Sequence, residues 1–122
     1  MIGGCSSKKP EYRGFLYNVV VAAQQFKELG SKADAVVFIQ MSVVTKEASL
    51  PEEDVKLLAA LDVQIHYLPK FRTSINENFY ALVLEKFRIL ELTEYSRVLF
   101  LDGDILPLCS LDYLFELSEP EH

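Results

Sequence analysis

The sequence predicts an α/β domain with a mainly parallel sheet. Short apolar runs of strand length alternate along the chain with longer amphipathic stretches, and this order builds a parallel sheet with right-handed crossovers. The clearest run is Val98 to Leu101, which is apolar at every position, as in a strand that is buried on both faces. We therefore expect this run to form the central strand of the sheet.

The composition supports one globular domain and excludes several classes of function. The chain has 122 residues, of which 50% are hydrophobic and 25% are charged. Its net charge of −6 disfavours nucleic acid as a partner and suits a site that binds a divalent cation. The two cysteines, Cys5 and Cys109, have no metal-ligand spacing, so no zinc site is expected.

Targeting segments are not visible in the sequence. Its apolar runs are too short to span a bilayer, and no charged segment followed by an apolar one opens the chain as in a signal peptide. The sequence does not predict a compartment: a cytoplasmic location and, for a longer form with an anchor, a Golgi location both stay open.

The first half of the chain predicts a strand, a helix and a second strand. Met1 to Cys5 has the character of the end of a strand whose beginning is missing. Gly14 to Leu29 is mostly apolar and long enough for a helix, and Gly30 stands where a glycine commonly ends one. Ala33 to Met41 is typical of a buried strand.

A second helix and a third strand follow. Ser49 and Glu52 can cap each other's backbone amides at a helix start, and Pro51 suits the first turn. Val63 to Leu68 alternates between apolar and polar residues, as a short strand does.

Two more helices flank the apolar run. One is expected from about Phe79 to Leu92, capped by Asn78. Ser110 is expected to cap a short helix from Leu111 to Leu117.

The apolar run ends at Asp102-Gly103-Asp104, which we call the diaspartate motif. In extended backbone, residues two apart project to the same side, so both carboxylates can bind one cation. Two hard oxygen donors suit Mg²⁺ or Mn²⁺, and open α/β sheets bind ligands at the carboxyl ends of their strands. Gly103 leaves room for a ligand close to the main chain. The alternative is an ordinary turn, which Asp-Gly-Asp followed by Pro107 also fits.

The residues around the motif form a more specific pattern. Lys86 stands on the preceding predicted helix, Leu92-Thr93-Glu94-Tyr95 leads into the apolar run, and Leu111-Asp112-Tyr113-Leu114-Phe115 follows the motif. With these marks, residues 85–115 resemble the glycogenin-like members of glycosyltransferase family 8. These proteins have the GT-A fold, a Rossmann-like fold of nucleotide-diphospho-sugar transferases. Tyr12 to Val37 is similar to the family's first helix and second strand, whereas many relatives have alanine or serine in place of Gly103.

The resemblance implies a retaining hexosyltransferase that takes a sugar from a nucleotide donor, usually a UDP-sugar, with Mn²⁺ or Mg²⁺. It implies that Asp104 coordinates the metal and that Asp102 contacts both the metal and the ribose. Lys86 would place its ammonium on the donor phosphate or sugar as a point charge. From spacing alone Lys86 would be a solvated helix lysine, and the resemblance favours the binding role.

The resemblance also sets expectations for other parts of the chain. Tyr12 is either a residue that stacks on uracil or an exposed loop tyrosine, and Arg97 is interpreted as a surface charge. Residues 1–117 are expected to be the nucleotide-sugar-binding part of a GT-A domain, and residues 118–122 an acidic tail.

The family's acceptor site and its metal-binding histidine have no counterpart in this sequence. We therefore expect an incomplete GT-A fold, from a fragment or a truncated product, that is inactive alone and can self-associate through an open sheet edge. The acceptor is not predicted. A noncatalytic nucleotide-sugar or metal-binding module, or a degenerate interaction domain that keeps the family's sheet, is the alternative.

Overall fold

Residues 1–70 and 85–117, which the computed structural model describes, form an α/β structure with a parallel sheet. The fold class is therefore confirmed. Among these residues, no helix is long and apolar enough to cross a membrane. In chain order the elements are β1 (Ile2–Cys5), α1 (Tyr12–Glu28), β2 (Ala35–Met41), α2 (Glu52–Ala60), β3 (Val63–Tyr67), a 3-10 helix (Glu85–Glu91) and α3 (Tyr113–Leu117).

The sheet has the strand order β1-β2-β3, with every pair parallel. Residues 35–39 of β2 lie opposite residues 63–67 of β3 without interruption. The pairing of β1 with β2 is irregular between Ile2 and Cys5, where Gly4 has a φ of +68°. This arrangement follows from the connections, because α1 and α2 each return the chain to the same end of the sheet.

Both faces of β2 pack against apolar side chains. The larger core contains Leu16 of α1 and Leu58 of α2, both fully buried, together with alternate residues of β2. On the other face, Phe38 packs against Leu68 and Leu92 in a smaller core. A strand covered on both faces has to be apolar along its length, which explains the run of residues in β2.

Gly30 ends α1 as the sequence predicts. Its φ is +77°, its N–H donates to the carbonyl of Lys27 at 3.1 Å, and the N–H of Ser31 donates to that of Phe26 at 3.0 Å. These two hydrogen bonds are those of a Schellman motif, which requires a residue in the left-handed region just past the helix.

The prediction that residues 98–101 form the central strand is wrong. They belong to no strand, and β2 occupies the centre of the sheet. Val98 and Leu99 are 41% and 37% exposed. An apolar run predicts burial against a wall of side chains, whereas a strand also needs a neighbour for its backbone hydrogen bonds, and local sequence does not specify that neighbour.

Two predicted helix caps are also absent. α2 begins at Glu52 with Pro51 as the N-cap residue, so Ser49 stands too early to cap it, and no side chain does so. The hydroxyl of Ser110 accepts a hydrogen bond from the N–H of Asp112 at 3.3 Å, which forms a local turn before α3 begins at Tyr113.

The helix predicted from Phe79 to Leu92 lies largely outside the described residues, as does its cap Asn78. Its described part, Glu85–Glu91, is a 3-10 helix instead of an α-helix. The predicted acidic tail, residues 118–122, also lies outside the described part of the chain.

The conformation of Gly30 predicts opposite effects for two identical substitutions in and after α1. Gly30→Ala should lower the free energy of unfolding by about 1 kcal/mol, because an L-residue is strained at positive φ. Gly14→Ala should raise it by about 0.5 kcal/mol, because Gly14 lies in α1 with open space around the added methyl group. Urea unfolding of both variants checks this. Equal effects would contradict the left-handed conformation at Gly30.

Candidate functional site

A cavity of about 770 Å³ lies between α1, the start of β2 and the segment that leads to the diaspartate motif. Its volume falls within the roughly 300–1,000 Å³ that is usual for small-molecule sites. The walls are mainly apolar and include Val19 and Phe26 of α1, Val36 and Phe38 of β2, and Phe100. The cavity is thus a candidate binding site next to the motif.

Charged side chains of both signs also line this cavity. Lys32 and Arg97 are positive, and Asp34, Asp102 and Asp112 are negative. Arg97, interpreted from the sequence as a surface charge, is half-buried here. Apolar walls with a few charged groups can hold a ligand that has both an apolar face and charge.

The diaspartate motif turns instead of continuing an extended strand. Residues 103 and 104 form the turn, and the N–H of Ile105 lies 3.4 Å from the carbonyl oxygen of Asp102. The prediction of extended backbone is therefore wrong. Asp102 and Gly103 line the cavity, while Asp104 is exposed outside it.

Asp102 lies at the amino end of β1, whereas the sequence predicts the carboxyl edge of the sheet. Burial lowers the pKa of the Met1 amino group, and the nearby negative charge of Asp102 acts in the opposite direction. The cavity also contacts the start of β2 at residues 35–38. Because residues 98–101 are not paired with a strand, the sheet does not determine at which of its ends the diaspartate motif lies.

The two motif carboxylates suit a divalent cation by their chemistry. Asp102 and Asp104 are both exposed, and within the described residues neither carboxylate forms a hydrogen bond or an ion pair. No group of three or more His, Cys, Asp or Glu side chains forms a metal site in that part of the chain. Magnesium and similar ions are commonly held by one or two carboxylates, with substrate phosphates and water as the other ligands. The donor set fits that mode of binding.

Lys86 and Tyr12, the other two predicted donor contacts, lie outside this cavity. The Lys86 ammonium is 5.8 Å from the centroid of the Phe87 ring, next to it in the 3-10 helix. Tyr12 is the first residue of α1 and only 4% exposed, so it is not an exposed loop tyrosine. In this conformation its ring has no free face for a base, and the role of Lys86 stays a prediction.

Tyr12 instead belongs to a polar network between the first turns of α1 and α2. Its hydroxyl donates to Oδ2 of Asp54 at 2.5 Å. Arg13 donates to Oε1 of Glu53 at 2.7 Å and has its Nε 3.6 Å from Oδ2 of Asp54. Burial and the bond to Asp54 raise the pKa of Tyr12 to about 12. Sequence reasoning missed this network, because Tyr12 and Asp54 are 42 residues apart and each resembles an ordinary first-turn residue.

Removing the Tyr12 hydroxyl should destabilise the protein. Asp54 is 4% exposed, so Tyr12→Phe leaves a buried carboxylate short of a donor and should cost about 1–3 kcal/mol at pH 7. Tyr17→Phe, at an exposed position of the same helix, should change the stability by less than about 0.5 kcal/mol. Urea unfolding measures both, and equal stability of the two variants would contradict the network.

The same hydrogen bond predicts the alkaline behaviour. The pKa of Tyr12 is raised in the folded state. The contribution of its hydroxyl to the free energy of unfolding is therefore complete below the ordinary pKa of 10.0 and is lost as the pH rises through about 12. The stability difference between the parent protein and Tyr12→Phe should therefore shrink over this range.

Asp112 joins the end of α1 to the segment we call the motif arm, residues 98–117, which carries the diaspartate motif and α3. Its carboxylate oxygens accept hydrogen bonds from the Ser31 hydroxyl at 2.5 Å and from the Lys32 N–H at 2.8 Å. These bonds, the Lys32 amide first, lower the pKa of Asp112 below its usual value. The sequence showed Asp112 only as part of a family pattern, because its partners lie 81 and 80 residues earlier.

Comparison with known proteins gives one family. The sequence model of glycosyl transferase family 8 matches residues 11–122. The chain is 28% identical to putative UDP-glucuronate:xylan alpha-glucuronosyltransferase 3 of Arabidopsis thaliana over 93% of its own length and 19% of that protein's. It is 32% identical to galactinol synthase 6 of the same plant, over 61% of this chain and 24% of that protein.

Galactinol synthase 2 of Solanum lycopersicum is also 32% identical, over 63% of this chain and 24% of that protein. The chain thus spans about a fifth to a quarter of the length of these relatives. No solved structure matches it significantly.

Proposed function

Because the chain belongs to glycosyl transferase family 8, a family of sugar transferases, we propose that it binds a UDP-sugar donor through a divalent cation at the diaspartate motif. The observation that carries the proposal is the extent of the family match, residues 11–122, which includes the motif and both flanking patterns. Retention at the anomeric carbon is part of the proposal and rests on the family resemblance.

The choice of donor draws on the relatives. One of them is named for UDP-glucuronate, and the others are galactinol synthases. We take a nucleoside diphosphate sugar as the donor class. Within this class we propose a UDP-sugar, and UDP, the part that all UDP-sugars share, is therefore the first ligand to test.

In this proposal, the motif carboxylates bind the cation that the diphosphate of the donor needs. A bound Mn²⁺ or Mg²⁺ would act as a Lewis acid on the diphosphate leaving group. Asp102 and Asp104 are exposed and form no ion pair within the described residues, so no ion pair among those residues has to be broken before they bind a cation. Without a cation, their charge repels that of the phosphates.

Two cationic side chains near the motif support the same assignment. Lys32 and Arg97 line the cavity that Asp102 also lines, and either can hold a phosphate oxygen there. Arg97 is half-buried, so its guanidinium is less screened by water than that of an exposed arginine. Lys86 remains the third candidate, by resemblance.

Asp104→Asn should abolish most of the metal dependence of UDP binding. An amide oxygen is a weaker ligand than a carboxylate, so the dissociation constant of UDP with Mn²⁺ present should rise at least about 10- to 100-fold, the loss that is typical when a residue supporting a metal ligand is changed. Calorimetric titration with and without Mn²⁺ measures this. A chelator should return the parent protein to its metal-free affinity.

Asp62→Asn is the matched control. Asp62 lies after α2, its side chain is 86% exposed, and its contact with Lys27 is a surface ion pair. The substitution removes one carboxylate without touching the motif, so Mn²⁺-dependent binding should be unchanged. If Asp104→Asn binds UDP with Mn²⁺ as the parent does, the diaspartate motif is a turn and nothing more.

The 122-residue polypeptide alone should not transfer sugar. Among the described residues, no group of three or more His, Cys, Asp or Glu side chains completes a metal site, and transfer also needs an acceptor held in line and water kept out. We therefore expect no release of UDP from UDP-sugars in a coupled assay. Metal-dependent release that Asp104→Asn abolishes would overturn this expectation.

A further inference from the structure

Specific contacts with the rest of the molecule stand just before the motif arm and near its end. Before the arm, Leu92 is buried against Phe38, and the Tyr95 hydroxyl donates to Oε1 of Gln64 at 3.3 Å. Near its end, Asp112 binds the loop after α1. The residues between these places pair with no strand of the sheet, and several of their apolar side chains are exposed. Pro107 is buried and residues 98–103 line the cavity, so the hydrogen bonds of Asp112 act together with this packing to hold the diaspartate motif.

The partners of Asp112 are held by the end of α1. Gly30 and Ser31 complete the Schellman motif, which fixes the direction in which the chain leaves the helix. The Ser31 hydroxyl and the Lys32 N–H follow directly and point to the same carboxylate. The anchor is thus a pair of donors that directly follows the helix end.

A carboxylate suits this anchor because each of its oxygens accepts one hydrogen bond. Both bonds are charge-assisted, and such bonds are stronger than neutral ones. The N–H of Asp112 itself donates to the Ser110 hydroxyl, which orients the residue from its own side. Asparagine can keep part of this pattern and alanine none of it.

We propose that Asp112 is a positioning residue: by binding Ser31 and Lys32 it holds the motif arm against the end of α1 and keeps the diaspartate motif in place for the donor. This inference rests on the proposed function, since the ligand of the motif is the one proposed above. Asp112 also lines the candidate cavity, but the positioning role requires no contact with metal or donor. It acts through the arm.

The first measurement is the affinity for UDP with Mn²⁺ in the 122-residue protein. If loss of the anchor leaves the arm in place only a tenth of the time, the apparent dissociation constant rises about tenfold. Asp112→Ala should show this loss and Asp112→Asn a smaller one. Glu116→Gln, which removes a negative charge from the exposed surface of α3 on the same arm, should leave the affinity unchanged.

The second measurement reports on the arm without any ligand. Cys109 is exposed and lies three residues before Asp112 in the sequence, whereas Cys5 is buried, and burial raises the pKa of its thiol to about 12. A thiol-specific nitroxide therefore attaches to Cys109 selectively. Its spectrum should show faster motion in Asp112→Ala than in the parent, intermediate motion in Asp112→Asn, and no change in Glu116→Gln.

Ser31→Ala tests the contact from the other side and serves if Asp112→Ala fails to fold. It should speed the motion of the label and weaken binding in the parent, and have no further effect in an Asp112→Ala background, because the bond is already lost. Far-ultraviolet circular dichroism confirms that each variant is folded.

The outcomes distinguish failure of the positioning role from failure of the proposed function. Faster label motion together with weaker Mn²⁺-dependent binding supports the positioning role. Unchanged motion in folded Asp112→Ala, or faster motion with unchanged affinity, overturns it while the proposed function stands. If the parent binds no UDP with Mn²⁺, the proposed function fails and the positioning role fails with it, even where the label still detects the anchor.

Discussion

The fold depends on β2, which has a paired strand at each edge and apolar side chains on each face. Its residues alternate between the larger core, shared with α1 and α2, and the smaller core around Phe38. Other parts of the chain are placed relative to it: β1 and β3 by backbone pairing, and the segment before the motif arm through Leu92. A strand in this position has little freedom to shift, because a slip of one residue would exchange the two faces.

The candidate site is built differently from the sheet. The diaspartate motif lies on an arm without backbone pairing, beside a cavity whose walls come from α1 and β2. The chain belongs to a family of sugar transferases. The exposed carboxylates of Asp102 and Asp104 are the cation ligands in the proposed function. Many proteins combine a rigid scaffold with a less constrained site, since their binding residues lie on loops that the scaffold positions.

Local patterns in the sequence predicted the elements well and the contacts between them poorly. The helix ending at Gly30 and the strands at residues 35–41 and 63–67 follow from periodicity and from one glycine. The prediction of a strand at residues 98–101 is wrong, because an apolar run indicates burial but does not specify which strand it pairs with. The bond from Tyr12 to Asp54 and the bonds of Asp112 join residues 42 to 81 positions apart, and single-sequence patterns carry no information at that range.

The irregularity in β1 affects how the sheet meets other chains. An incoming strand adds to a sheet edge by matching a regular row of amide and carbonyl groups. β1 offers a row of only four residues, interrupted where Gly4 takes a left-handed conformation. Such a bulge twists the edge and breaks the spacing, so an added strand would find few consecutive partners. Among the described strands, β1 is therefore the least regular template for pairing with another chain.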